Sequence, residues 1–144
     1  MSPNAEHLEK WIENAQAELV DKEVSSRFAK YLNSLNWSVS GLKLDFNEFP
    51  HKKINLSQIE ESTLVSEIKN SSIGQSEKLF FFYNDTKPCL ACELDFGLKN
   101  IDQAYWKAPG PRYMFCGNII EGEVQEDFER LLMIDGVETL YYRI

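Results

Sequence analysis

The sequence predicts an α/β fold of the α+β type, in which a single mixed β-sheet is packed against helices. A chain of 144 residues has the length of one domain, so residues 1–144 are expected to form a single globular unit. Hydrophobic residues make up 43% of the chain, which is enough to build a core. Segments with helical apolar spacing also alternate with short strand-like segments, from an N-terminal helical segment to a C-terminal strand–helix–strand unit.

The N-terminal segment is predicted to be helical over residues 4–36. Ser2-Pro3 is a suitable helix opening, since Ser caps a helix and Pro fits its first turn. Apolar residues then follow at helical spacing from Leu8 onward. The spacing is interrupted at Asp21-Lys22-Glu23 and resumes afterwards, which predicts either two helices or one bent helix.

The next segment contains a predicted strand and a predicted helix. Apolar and polar residues alternate from Leu42 to Phe46, which indicates a half-buried strand that ends before Pro50. Ser57 is placed to cap a helix, whose apolar face would include Leu64 and Ile68.

Two strands and a short helix are predicted in the middle of the chain. Lys78–Tyr83 is apolar on both faces, which is typical of a fully buried strand. The polar turn residues after it allow Cys89–Leu94 to pair back as a hairpin. A short helix is predicted at Ile101–Lys107, before a loop that is rich in proline and glycine.

The C-terminal region predicts a strand at Tyr113–Ile119, a helix at Glu123–Ile134 and a final strand at Val137–Ile144. The helix prediction rests on apolar residues at helical spacing and on an acidic first turn, which the helix dipole favours. Asp135-Gly136 would end this helix. The final segment is β-branched and aromatic, and as an exposed strand it could pair with a second copy in a dimer.

Negative charge is concentrated at the C-terminal end. Residues 121–144 contain seven acidic and two basic residues, and their formal charge of −5 is most of the −8 carried by the whole chain. Such a surface repels nucleic acid and anionic membranes and attracts a basic protein. On the predicted helix, Glu126 and Arg130 are spaced to form an ion pair. The candidate partner-binding residues combine these acids with nearby aromatic anchors: Glu121, Glu123, Glu126, Asp127, Glu129, Tyr105 and Trp106.

Cys89-Leu90-Ala91-Cys92 is the one motif whose side chains could carry out a reaction. If a helix began at Cys89, the pair would resemble the site of thioredoxin-like oxidoreductases, because a helix N-terminus lowers a thiol pKa. If the segment is a strand, the two thiols point to opposite faces and cannot act together. The sequence leaves both alternatives open.

Other chemistry is not indicated by the sequence. His7 and His51 are isolated, and Cys116 lacks the paired spacing of a zinc site. We therefore expect no catalytic residue, no metal site and no cofactor. Three cysteines and a polar N-terminus without a signal peptide predict a cytoplasmic protein. The loop Trp106–Arg112 could line a small-molecule pocket, which is a third alternative.

In overall size, charge and element order, the chain resembles bacterial toxin-immunity proteins of the contact-dependent growth inhibition type. The resemblance extends over the whole chain and includes no diagnostic motif. It implies a cytoplasmic protein, monomeric or homodimeric, that binds and neutralises a cognate basic toxin, often a nuclease. It implies no enzymatic activity, no direct contact with nucleic acid and no membrane association. The alternatives are a thioredoxin-like thiol oxidoreductase and a small-molecule-binding or scaffold domain.

Overall fold

The structure is a computed structural model that describes residues 5–38, 41, 43–101, 111–136 and 138–144. Four helices and seven strands follow one another within these ranges. In chain order they are α1 (Ala5–Glu13), β1 (Ala17–Leu19), α2 (Lys22–Asn33), β2 (His51–Asn55), α3 (Glu61–Lys69), β3 (Lys78–Phe81), β4 (Leu90–Glu93), α4 (Leu94–Lys99), β5 (Arg112–Ile120), β6 (Glu123–Asp135) and β7 (Thr139–Arg143).

The seven strands form one sheet in the order β1-β4-β3-β5-β6-β7-β2. Every pairing between these strands is antiparallel. The predicted fold class, helices packed on a single sheet, is therefore confirmed, but the sheet is antiparallel rather than mixed. The final strand is confirmed as well, but it lies between β6 and β2, so β1 and β2 are the edge strands.

Two apolar cores lie on opposite faces of the sheet. The first core joins the sheet to α1, α3 and α4, with Ile68 and Leu79 among its fully buried residues. The second core joins the sheet to α2 and to the segment around Leu44, and Phe28 packs there 4.4 Å from Phe115, measured between ring centroids. Strand β3 contributes to both cores, which confirms the prediction of a strand buried on both faces.

The predicted helix Glu123–Ile134 is wrong, because these residues form the long strand β6. Glu121 and Gly122 have left-handed φ angles of 52° and 82°, so they turn the chain tightly from β5 into β6. Cys116 is paired with Asp127, but its neighbour Phe115 is paired with Leu131. Three residues of β6 thus bulge out of the ladder.

This bulge explains why the sequence indicated a helix. Strand residues that share a face normally repeat at every second position. The insertion of residues 128–130 moves the next apolar residues further along the chain. Val124, Phe128 and Leu131 consequently stand four and three residues apart, as on one side of a helix. The predicted strand–helix–strand unit is in fact a three-stranded antiparallel meander.

Several other predictions are corrected or refined. Two separate N-terminal helices are present, and the short strand β1 lies between them. The strand predicted at Leu42–Phe46 is not found in the described part, where Leu44 forms a single bridge with Trp37 and a 3₁₀ turn begins at Phe46. Beyond Ile101, the predicted helix Ile101–Lys107 lies outside the described residues.

The helix predicted after Ser57 is present, but it begins at Glu61. Ser57 instead belongs to a 3₁₀ turn, in which its backbone N–H donates to the Asn55 side chain. None of the helices in the described ranges combines the length and the apolar character that crossing a membrane requires.

Candidate functional site

The five candidate acids lie on the β5–β6 hairpin rather than on a helix. Glu121 is exposed in the turn, and Glu123 is exposed where β6 begins. Because neighbouring side chains of a strand point to opposite faces, Glu126 and Asp127 do not share a surface. The five acids therefore do not form one acidic face.

Two of the five acids already have a basic partner. Glu126 faces α2, where the Arg27 Nε lies 2.8 Å from its Oε1. Burial is the largest single effect and raises the pKa of the Glu126 carboxyl, but the hydrogen bond and the charge of Arg27, together with a backbone hydrogen bond, outweigh it, and the pKa is lowered overall. Asp127 lies 3.3 Å from the Arg130 Nε. Arg130 therefore pairs with Asp127, which the sequence indicated as a weaker partner, and not with Glu126. Glu121, Glu123 and Glu129 form no ion pair within the described ranges.

The fold places further acids beside the hairpin. An open groove of about 560 Å³ lies between β1, the start of α2 and the tip of the β5–β6 hairpin. Its charged lining residues are Glu18, Asp21, Glu23, Glu123 and Arg27. Four carboxylates and one guanidinium give these residues a formal charge of −3. We call this feature the acidic groove.

The N-terminal residues keep the acidic groove in shape. Asp21 caps α2, because its side chain accepts a hydrogen bond of 3.0 Å from the Glu23 backbone N–H. Val20 donates its backbone N–H to the Cys89 carbonyl at 3.0 Å, which fixes β1 beside β4. Three of the four groove acids thus come from residues 18–23, and the sequence prediction missed all three. The sequence did show a charged interruption of the helical pattern at residues 21–23. The spacing of residues along the chain could not show that this segment lies beside residue 123.

Apolar side chains stand next to these charges. Leu19 lines the groove and is 55% exposed, and the half-buried Ile119 lines it as well. These two side chains offer apolar contact area next to the carboxylates of the groove. The expected aromatic anchors, Tyr105 and Trp106, lie outside the described residues.

The cysteine pair does not form the helix N-terminus that thiol catalysis needs. Cys92 lies on strand β4 and α4 begins only at Leu94, so Cys89 is not at the start of a helix. Cys89 and Cys92 belong to the two different cores on opposite faces of the sheet. Burial raises the pKa of Cys89 to about 11 and that of Cys92 to about 12. Buried, protonated thiols that face away from each other are poor nucleophiles.

The remaining candidates also have structural contacts. The His51 Nδ1 lies 2.9 Å from the Phe49 carbonyl oxygen, and the His51 ring packs against Phe46 and Tyr141. Across the described ranges, no group of three or more His, Cys, Asp or Glu side chains could hold a metal ion. Most of the loop that was considered as a small-molecule pocket lies outside these ranges, while Arg112 at its end is buried.

Comparison with known proteins found no similar protein. No protein-family model, no curated protein and no solved structure matches the chain. The functional argument therefore rests on the geometry and charge of the acidic groove.

Proposed function

We propose that this protein is an immunity protein that binds and neutralises a basic protein toxin through the acidic groove. The observation that supports this proposal is the convergence of four carboxylates from three separate elements on one open groove, beside the exposed Leu19. A sequence with a merely solvated acidic surface would not need to gather charges from residues 18–23 and residue 123.

The groove suits a protein better than a small molecule. It is open to solvent, and its carboxylates can accept hydrogen bonds from the lysine and arginine side chains of a partner. Its negative potential would speed the encounter with a basic protein, since electrostatic steering raises association rates by roughly 10–1000-fold. Leu19 and Ile119 would then provide apolar contact area that slows dissociation.

Neutralisation follows from the same charges. A toxin that cuts RNA or DNA must present cationic side chains to phosphate groups. Carboxylates such as Glu18, Glu23 and Glu123 would compete for those cationic side chains and exclude the nucleic acid. Rapid capture matters here because a nuclease causes damage at every turnover before it is bound.

The first experiment is co-expression with the product of the gene immediately upstream, followed by co-purification and a survival assay at low and moderate salt. The proposal expects a complex that weakens as salt rises, together with rescue of cells from a toxic neighbour. If the upstream product is toxic and the groove variant described below rescues cells as well as the wild type, the acidic groove is not the binding surface.

Matched charge reversals separate the groove from the general acidity of the chain. The groove variant carries Glu18→Lys, Glu23→Lys and Glu123→Lys, all at exposed positions. The control variant carries the same number of reversals at other exposed positions, on and just before α3: Glu60, Glu61 and Glu67. Both variants change the net charge equally, so only a specific groove makes the first lose binding while the second keeps it.

A further inference from the structure

The edge strand β2 offers an unpaired row of backbone groups. Its partner β7 fixes which residues point outward, because the Ile144 N–H donates to the Pro50 carbonyl at 3.1 Å and the Leu56 N–H donates to the Glu138 carbonyl at 2.7 Å. In an antiparallel pair, hydrogen-bonded residues alternate with residues that point away. The backbone groups of Lys52 and Ile54 therefore face β7.

The alternate residues of β2, His51, Lys53 and Asn55, direct their backbone N–H and C=O groups away from the sheet. No described strand lies on that side, since β2 is the last strand in the sheet order. Lys53 and Asn55 are exposed and His51 is half-buried, so the outer edge is accessible along most of its length. The three outward residues provide three donors and two acceptors for an added strand, because the Asn55 carbonyl accepts the first hydrogen bond of the 3₁₀ turn that follows β2.

The side chains at this edge are basic. Lys52 and Lys53 are both exposed, and as neighbours on a strand they point to opposite faces of the sheet. Neither lysine forms an ion pair in the part of the chain that the structure describes. Lys53 Nζ lies 5.6 Å from the centroid of the Tyr141 ring, and the guanidinium of Arg143 on the neighbouring strand lies 4.2 Å from that of Phe49.

We propose that β2 binds an extended acidic segment of a partner protein, which adds to the sheet as an eighth strand. The backbone edge provides the hydrogen bonds of β-strand addition, and the two lysines select acidic residues on each face of the added strand. A second copy of this chain does not fit, because symmetric antiparallel pairing about Lys53 places Lys53 opposite its own copy. This site is separate from the acidic groove and does not depend on the proposed function.

The test uses a short blocked peptide of threonine and valine with two central glutamates, and a matched peptide with two central lysines. Fluorescence anisotropy with the full chain, at peptide concentrations up to about 1 mM, should show at least tenfold tighter binding of the glutamate peptide. The double variant Lys52→Glu/Lys53→Glu should reverse this preference. Both positions are exposed, and circular dichroism would confirm that the variant is folded.

Hydrogen exchange shows whether binding occurs by strand addition. The glutamate peptide should protect the backbone N–H groups of His51, Lys53 and Asn55 and leave those of Lys52 and Ile54 unchanged, since the latter two already face β7. An N-methylated glutamate peptide should fail to bind. The proposal is overturned if neither peptide binds, if the N-methylated peptide binds equally well, if protection appears elsewhere, or if sedimentation shows that β2 is occupied by a second copy.

Discussion

Gly117→Ala tests whether residues 123–135 form a strand that pairs with β5 and not a helix. Gly117 lies opposite Glu126 in the ladder, where an added Cβ would be 2.5 Å from the Gln125 carbonyl oxygen and 3.0 Å from the Glu126 Cα. Both atoms belong to the backbone of β6, so they cannot rotate away. If the same residues were a helix, this close approach would not exist.

The expected loss of stability follows from these distances. Overpacking of this kind costs about 1–3 kcal/mol, and the reduced freedom of the unfolded chain offsets about 0.4–1 kcal/mol of it. Because the clash is with rigid backbone, we take the upper end of both ranges and expect the free energy of unfolding to fall by about 2 kcal/mol. With an unfolding entropy of about 2.1 cal/mol/K per residue, 144 residues give a decrease in Tm of about 7 °C.

Urea unfolding and thermal unfolding would measure this loss. The control is Gly122→Asn in the same hairpin, where a Cβ meets no atom within 4 Å and Asn tolerates the left-handed φ of 82°. The control should change the free energy of unfolding by less than about 1 kcal/mol, because its site has space and a suitable residue. If Gly117→Ala leaves Tm and the urea midpoint unchanged, the pairing of β6 with β5 at this position is wrong.

Three further predictions concern the core and the hairpin. Tyr142→Phe should change the free energy of unfolding by less than about 0.5 kcal/mol. The Tyr142 hydroxyl is buried without a hydrogen bond in the described structure, so its removal leaves no other group without a partner. A loss of more than about 1 kcal/mol in a urea titration would refute this prediction. Cys89 and Cys92 should react with a disulfide reagent far more slowly in the native than in the unfolded protein at mildly alkaline pH, because burial raises both pKa values; equal rates would restore the redox alternative. Since the Glu126 pKa is lowered, its pair with Arg27 stabilises the fold above the ordinary glutamate pKa and loses this contribution as pH falls through the folded value. Arg27→Gln should therefore cost less than about 1 kcal/mol at neutral pH and nothing in acid, as urea titrations at the two pH values would show.

Local patterns predicted those elements whose apolar spacing is regular. Helix α2 and strand β3 follow the expected periods, and their boundaries differ from the prediction by a few residues. Strand β6 was missed because its three-residue bulge imitates helical spacing. Strand β1 was missed because three residues are too few to show a period. Both errors concern short-range signals that tertiary pairing overrides.

The candidate site was predicted only in part, for a related reason. The count of charges identified the acidic end of the chain, and Glu123 is the one predicted partner-binding residue that lines the acidic groove in the described structure. The count did not find Glu18, Asp21 and Glu23, since they reach the hairpin only through tertiary contacts: β1 pairs with β4, and α2 packs against β6. Composition also could not show that Glu126 is already bound by Arg27, a residue 99 positions earlier in the chain.

The central claim, that the acidic groove captures a basic toxin, is tested most directly by the association rate of the purified complex. Stopped-flow fluorescence at low and moderate salt would compare the wild type with the groove and control triple variants. The account predicts that the groove reversals slow association at least tenfold and flatten its salt dependence, while the control reversals change the rate by about twofold or less. Equal slowing by both variants would show that net charge alone attracts the partner, and it would contradict a specific groove.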